Sequence, residues 1–306
     1  MEKKERKVSK KYAKRYFNIV GLFLILYALF VLIFPYLFHT YMNISNSFIL
    51  NDKILYFGIY FIIILFGTII PFFMMRLYFK VDKRKLNRNV NATFVNLFVQ
   101  TIVCFTLCLG LTYVSNLIFP RFGLESELLS NIGFSYSSGY LNEPLYIFML
   151  IIVAPIIEEY AFRGVLLNTL GKFGKNFALY ASAIIFAVAH ISFSEMIPAF
   201  AMAITLGKTS YRYRSIKPTI IIHILFNLLL YILCIIPQTV TRYVAYGLTV
   251  TFILTIYLIL SGSYQQVRIQ KTHSIKNTNL LFYSTFTIIL AILLMILSSV
   301  LFLIEI

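Results

Sequence analysis

The sequence predicts an all-α protein, a polytopic bundle of about eight or nine transmembrane helices. Hydrophobic residues make up 60% of the 306 residues and charged residues only 12%, whereas soluble domains are about half apolar and about a quarter charged. The apolar residues are also gathered into runs of roughly the 20 residues that cross a bilayer. Most side chains of such a chain require lipid rather than water as their surroundings.

Nine apolar runs are candidate spans, and the fifth and sixth are the least distinct, because only residues 192–195 separate them. The runs are 17–40, 54–78, 93–119, 144–170, 177–194, 196–211, 217–236, 243–262 and 280–304. They divide the chain into a basic tail (1–16), N-terminal transmembrane helices (17–143), a central core (144–236) and C-terminal transmembrane helices (237–306).

The distribution of basic residues supports this order of spans. If the N-terminus is cytoplasmic, all of the 27 basic residues fall on cytoplasmic segments except Lys53, Arg121, Arg163 and Arg242. Cytoplasmic loops of membrane proteins carry such an excess of Lys and Arg, and a miscounted helix would invert every later loop. We therefore expect a protein integral to the cell membrane, with a cytoplasmic N-terminus and an outer C-terminus.

The net charge of +16 does not indicate a nucleic-acid partner, because the charges lie in short segments between apolar runs. The expected partner of these segments is the lipid bilayer, and the basic tail is predicted to rest on anionic lipid.

Five side chains of Glu, Arg or His type lie well inside the predicted spans, where a charge costs at least about 2.5–3.5 kcal/mol and usually faces a cavity. They come from three helices and are Glu158, Glu159, Arg163, His190 and His223.

The fourth span contains APIIEEYAFRGVL, with two adjacent glutamates. On a helix, Glu158 and Glu159 point about 100° apart, while Glu159 and Arg163 are four residues apart in the favoured order for an ion pair. We expect Arg163 to neutralise Glu159, leaving Glu158 to face a cavity, and Pro155 to kink the helix. The alternative is a purely structural Glu–Arg pair that joins helices.

Two further spans each contribute an isolated polar group. His190 is the polar residue of IIFAVAH, and a lone His in a membrane helix is often a hydrogen-bonded packing residue. His223 and Asn227 are four residues apart in IIIHILFN and share one helix face. Alone, this pair is either a clamp to a neighbouring helix or part of a site.

Together, these groups have the chemistry needed to hydrolyse a peptide bond. One group must take a proton from water, another must stabilise the oxyanion, and a third must protonate the leaving amine. A carboxylate, two imidazoles and a carboxamide from three successive regions of the chain supply these functions.

The three motifs resemble those of the CAAX-protease and bacteriocin-processing (CPBP, or Abi) intramembrane proteases, relatives of the type II CAAX prenyl endopeptidases. That family has EExxxR, FxxxH and HxxxN on successive membrane helices. Here the motifs run from Glu158 to Arg163, from Phe186 to His190 and from His223 to Asn227. The resemblance covers roughly residues 144–236, and it implies that the motif helices form a central conical cavity.

By this resemblance, Glu158 is similar to the family's water-activating glutamate and Glu159 to its partner. Arg163 supports them structurally, and His190, His223 and Asn227 are the other catalytic groups. Two chemistries stay open. Glu158, His190 and His223 are a plausible zinc set, although no HExxH is present. Alternatively, Glu158 and a histidine activate water without metal, while His223 and Asn227 form the oxyanion hole; this second reading is preferred.

The leading hypothesis is therefore an intramembrane endopeptidase that cleaves a peptide or membrane-protein substrate. The family name implies prenylated C-termini, but bacteriocin-like or signalling peptides are equally compatible and are the preferred expectation. A second hypothesis is a non-catalytic membrane regulator or immunity scaffold on the same fold. A proton-coupled transporter would show inverted repeats, and none is visible in the sequence.

Overall fold

The described part of the chain is helical apart from short turns, and it contains no β-strand. The computed structural model describes residues 10–44, 53–82, 92–118, 144–190, 193–235, 238–260 and 277–305. The tail up to residue 9 and the outer loop 119–143 lie outside the described residues. The predicted all-α membrane fold is confirmed.

Each of the nine predicted runs coincides with a helix or with consecutive helical segments. The α-helices are α1 (Lys10–Ala28), α2 (Phe34–Ile44), α3 (Lys53–Tyr78), α4 (Phe94–Ile118), α5 (Pro144–Phe148), α6 (Ala154–Glu158), α7 (Leu167–Leu170), α8 (Lys175–Val188), α9 (Phe193–Tyr213), α10 (Lys217–Ile235), α11 (Gln238–Leu260), α12 (Thr278–Tyr283) and α13 (Phe286–Glu305). The segment Gly171–Phe173 is a 3₁₀ turn.

Four segments of the described chain are long and apolar enough to cross a membrane, namely Lys10–Phe38, Phe61–Tyr78, Phe94–Ser115 and Pro144–Phe173. The apolar segments Lys175–Val188, Lys217–Leu233, Gly247–Tyr257 and Phe286–Leu301 are shorter. A 14-residue helix is only about 21 Å long, against a hydrocarbon core of about 30 Å. The number of full spans therefore stays a prediction.

Three π-helical segments interrupt the α-helices of the described residues: Leu29–Ile33, Met149–Val153 and Glu159–Leu166. The last two belong to the rod that carries EExxxR, which runs from Pro144 to Leu170 and is here named the motif rod. π-Helical turns are rare and frequently lie at functional sites. The irregularity expected at Pro155 is thus present as a π-helical segment that ends two residues before it.

The first and last helices of the chain pack closely together. A side chain at Gly21 of α1 would collide with the backbone and side chain of Thr287, and the Thr287 hydroxyl donates to the carbonyl oxygen of Asn18 at 3.0 Å. Small residues allow membrane helices to approach in this way. Because α1 begins at Lys10 and already buries Ala13 and Tyr16, the second half of the predicted tail is part of this packed helix.

An aromatic cluster joins the helix ends that the charge pattern predicts to be cytoplasmic. The ring of Phe17 lies 4.6 Å from that of Phe173 at the end of the motif rod, 5.7 Å from Phe177 of α8 and 5.1 Å from Phe282 of α12. The helix ends that carry the basic residues therefore meet at one end of the bundle. The side of the membrane that this end faces stays a prediction.

Candidate active site

The two adjacent glutamates occupy different environments. Glu158 ends α6 and Glu159 begins the following π-helical segment. The side chain of Glu158 is 34% exposed, whereas that of Glu159 is fully buried. The two adjacent carboxylates therefore point into different surroundings, and their separate roles stay a prediction.

Glu159 is held by two cationic or hydrogen-bonding partners on one oxygen. Its Oε1 atom lies 2.8 Å from a terminal nitrogen of Arg163 and 3.0 Å from Nδ1 of His223. The predicted Glu159–Arg163 ion pair is therefore present. The contact from Glu159 to His223 was not predicted, because sequence spacing within one helix contains no information about partners on another helix.

The contact with Glu159 fixes the tautomer of His223. A carboxylate oxygen only accepts, so Nδ1 of His223 carries the proton and donates it. Its Nε2 atom lies 3.9 Å from Oε2 of Glu158, which is too long for a direct hydrogen bond. His223 thus stands between the two glutamates, bound to the buried one and facing the exposed one.

His190 lies two residues beyond the end of α8, and its expected depth inside a membrane span stays a prediction. The helix ends at Val188, and the backbone N–H of His190 bonds to Ala187. Nδ1 of its ring donates to the carbonyl oxygen of Phe186 at 2.9 Å. The imidazole therefore replaces the missing backbone donor at this helix end, and its Nε2 atom keeps a free lone pair.

Phe186 connects the first two motifs, a role that sequence reasoning did not assign. The guanidinium carbon of Arg163 lies 4.3 Å from the centre of its ring, and the ring contacts that of His190 at 4.8 Å. The carbonyl oxygen of Phe186 also accepts the hydrogen bond from His190. Phe186 therefore connects Arg163, which holds Glu159, to the position of His190. The titratable side chains near His190 are Glu158, His223 and Arg163.

Asn227 reaches back to the motif rod. Its amide Nδ2 group donates to the carbonyl oxygen of Leu150 at 2.9 Å. In the preceding π-helical segment the N–H of Ala154 bonds to Met149, five residues earlier, so the matching donor for Leu150 would be residue 155. That residue is Pro155, which has no N–H, and the side chain of Asn227 provides the missing donor.

Tyr27 of α1 is a neighbour of the site that the motifs do not include. Its ring lies 5.4 Å from that of Phe72 and 5.9 Å from that of Phe162, and it is within electrostatic range of Glu158. The available signal was a tyrosine within an apolar run, but that run contains many aromatic residues, so Tyr27 did not stand out.

The residues proposed for zinc do not form a ligand cluster as placed. In the described chain, no group of three His, Cys, Asp or Glu side chains is arranged to hold a metal ion. One ring nitrogen of each site histidine is also committed to Glu159 or to the Phe186 carbonyl. The zinc set of Glu158, His190 and His223 stays a sequence prediction.

Comparison with known proteins places the same segment in a family. Residues 140–229 match the family model described as type II CAAX prenyl endopeptidase Rce1-like. Neither curated proteins nor solved structures gave a significant match. The matched segment contains all three motifs and the contacts between Glu159, Arg163 and His223. The resemblance predicted from the motifs is therefore confirmed for residues 140–229, which match the family model of the type II CAAX prenyl endopeptidases.

Proposed function

We propose that this chain is an intramembrane endopeptidase in which Glu158 activates water to hydrolyse a peptide bond. The observation that carries the proposal is the pairing of a partly exposed Glu158 with His223, whose other ring nitrogen is fixed by the buried Glu159. General acid–base catalysis requires such a positioned pair of groups, one of them accessible to water.

The proposed step begins with a water molecule between Oε2 of Glu158 and Nε2 of His223. Atoms 3.9 Å apart can both contact one water oxygen at about 2.8 Å. Glu158 takes a proton from the water, and the water oxygen forms a bond to the carbonyl carbon of the substrate. The π electron pair moves to the carbonyl oxygen, which becomes an oxyanion.

The tetrahedral intermediate then collapses. The carbonyl re-forms, the carbon–nitrogen bond breaks, and the leaving nitrogen receives the proton held by Glu158. The products are a carboxylic acid, which ionises, and an amine. No oxidant, reductant or metal enters this balance.

In this proposal His223 binds the water instead of joining the oxyanion hole, because its Nδ1–H group is donated to Glu159. The remaining polar groups have supporting roles. Nε2 of His190 accepts a hydrogen bond from the substrate, because Nδ1 is already used as a donor. Asn227 uses one of its two Nδ2 hydrogens for Leu150, and the second is available to the oxyanion. Arg163 holds Glu159 and does not touch the substrate.

The proposed substrate is a membrane-associated peptide or a segment of a membrane protein. The matched family model is named for prenylated CAAX sequences, and a bacteriocin-like or signalling peptide fits the same chemistry.

The test compares the peptides processed in cells that express the intact chain, Glu158→Gln or Glu195→Gln, each with and without a chelator. Glu158→Gln keeps the side-chain shape and should lower processing by about 10²–10⁴-fold. Glu195 lies in the first turn of α9 and takes part in none of the contacts described above, so its variant should process normally.

Full processing by Glu158→Gln would refute the assignment of the base. Loss of processing on chelation with an intact fold would favour zinc over metal-free chemistry. A cellular phenotype that survives Glu158→Gln would support the regulator hypothesis.

A further inference from the structure

Two adjoining cavities form a groove at the end of the bundle that is predicted to be cytoplasmic. Their volumes are about 520 and 330 Å³, and they share the lining residues Phe79, Lys80 and Lys172. The first lies between the start of α1 and the end of α3, and the second between the end of α3, the end of the motif rod and α9. None of the proposed catalytic residues lines either cavity.

The charges around this groove are mostly positive and come from separate parts of the chain. Arg15 of α1, Lys80 after α3, and Lys172 and Lys175 after the motif rod all line it, together with one acid, Asp82. All five side chains are exposed. Four cations from three separate regions of the chain therefore face the same space with one carboxylate, which leaves an excess of three positive charges.

The backbone of Lys80 indicates that this cation has a role beyond ending a helix. Lys80 has a φ of 52°, and the bonds from Val81 N–H to Arg76 and from Lys80 N–H to Leu77 form the helix-ending motif that usually has glycine at this position. A residue with a Cβ atom adopts this conformation at an energetic cost. The chain nevertheless places at this position a lysine that lines both cavities.

The base of the groove is built from packed side chains. The rings of Tyr16 and Phe79 lie 4.2 Å apart, and the Tyr16 hydroxyl donates to the carbonyl oxygen of Thr169 at 3.1 Å. The ammonium group of Lys172 lies 5.3 Å from the centre of the Tyr16 ring, within cation–π range. The ammonium group of Lys172 is thus held beside packed aromatic rings.

We propose that this groove binds a phosphate group, either in the headgroup of an anionic phospholipid or in a soluble phosphate monoester. Several ammonium groups and a guanidinium around one cavity match a multiply charged oxyanion. Tyrosines at the groove are typical of the membrane–water interface, and anionic lipids enrich the cytoplasmic surface. This site is separate from the proposed active site, and the proposal does not depend on peptidase activity.

The test uses the full chain in phosphatidylcholine nanodiscs with and without phosphatidic acid, and measures the unfolding temperature as the lipid fraction is increased. A parallel arm titrates glycerol phosphate into the phosphatidylcholine nanodiscs. The groove variant is Lys80→Gly with Lys172→Gln. The control, Lys11→Gln with Lys14→Gln, removes two exposed charges from α1 that do not line the groove.

Binding in the groove predicts that the groove variant loses at least about tenfold more apparent affinity than the control, because a charged hydrogen bond contributes more than diffuse attraction. A response to phosphatidic acid but not to glycerol phosphate assigns the ligand to lipid, and a response to glycerol phosphate assigns it to a soluble monoester. Equal losses in both double variants, or no response in either arm, would overturn the proposal.

The single variant Lys80→Gly separates binding from folding. Glycine suits the left-handed conformation, so the unfolding temperature in plain phosphatidylcholine should rise or stay the same, while the response to phosphate falls. A Lys80→Gly protein that keeps the full phosphate response would show that Lys80 only ends the helix, and it would contradict the proposed site.

Discussion

The proposed active site has a closed half and an open half, and they begin at adjacent residues. In the closed half, Glu159, Arg163 and Nδ1 of His223 are in contact and almost fully excluded from solvent. In the open half, Glu158 is one-third exposed and meets Nε2 of His223 only at 3.9 Å. One imidazole joins the two halves through its opposite nitrogens.

The closed half is expected to stabilise the fold and position His223, and the open half is expected to carry out the reaction. A buried ion pair that loses one member leaves an uncompensated charge, so the closed half should govern stability as well as activity. A partly exposed carboxylate with no short contact contributes little to folding, so substitution of Glu158 should affect activity alone. The predictions below test whether the two halves can be separated in this way.

The largest effect is expected for Arg163→Ala. It leaves Glu159 charged and buried without its cation, which should lower the free energy of unfolding by about 3–5 kcal/mol. Thermal unfolding in detergent measures this change. Arg212→Ala is the matched control, because Arg212 is exposed at the end of α9.

The double variant Glu159→Gln with Arg163→Met removes both charges from the closed half. Its stability should recover part of the loss of Arg163→Ala, because replacing a buried pair is less costly than breaking it, while its peptidase activity stays low. If Arg163→Ala were as stable as the Arg212→Ala control, the closed half would not stabilise the fold.

Phe186→Leu tests whether Arg163 and His190 are coupled through the ring of Phe186. The ring contacts the Arg163 guanidinium at 4.3 Å and the His190 ring at 4.8 Å, and a desolvated cation–π contact contributes about 2 kcal/mol. Phe177→Leu is the control, since Phe177 is a buried phenylalanine of the same helix that packs only on aromatic rings in the contacts described.

Phe186→Leu should therefore destabilise the fold by about 1–2 kcal/mol more than Phe177→Leu, and it should also lower peptidase turnover. Chemical unfolding and a cleavage assay give the two readings. Equal losses in both variants would show that Phe186 only fills space.

Sequence reasoning located the polar residues of the site but not all of their contacts. The Glu159–Arg163 pair was predictable because both residues lie on one helix, four positions apart. The partnership of Glu159 with His223, the contact of Phe186 with Arg163 and the approach of Tyr27 depend on packing between helices, which spacing along one helix does not determine. The end of α8 at Val188, two residues before His190, was not predicted either, because hydropathy continues past that residue.

The smallest expected effect lies behind the open half, where Asn227 bonds to the Leu150 carbonyl. Asn227→Ala should cost about 1 kcal/mol, because it leaves that half-buried acceptor unpaired. The side chain of Asn227 is needed as a donor because Pro155 has no N–H to give to the π-helical segment before it.

In a Pro155→Ala background the new N–H can reach the Leu150 carbonyl, so Asn227→Ala should then cost less. A double-mutant cycle measured by chemical unfolding in detergent gives the coupling energy, expected at about 0.5 kcal/mol or more. Strictly additive losses would mean that Asn227 serves something other than the gap left by proline, and its proposed donation to the oxyanion would then be its main role.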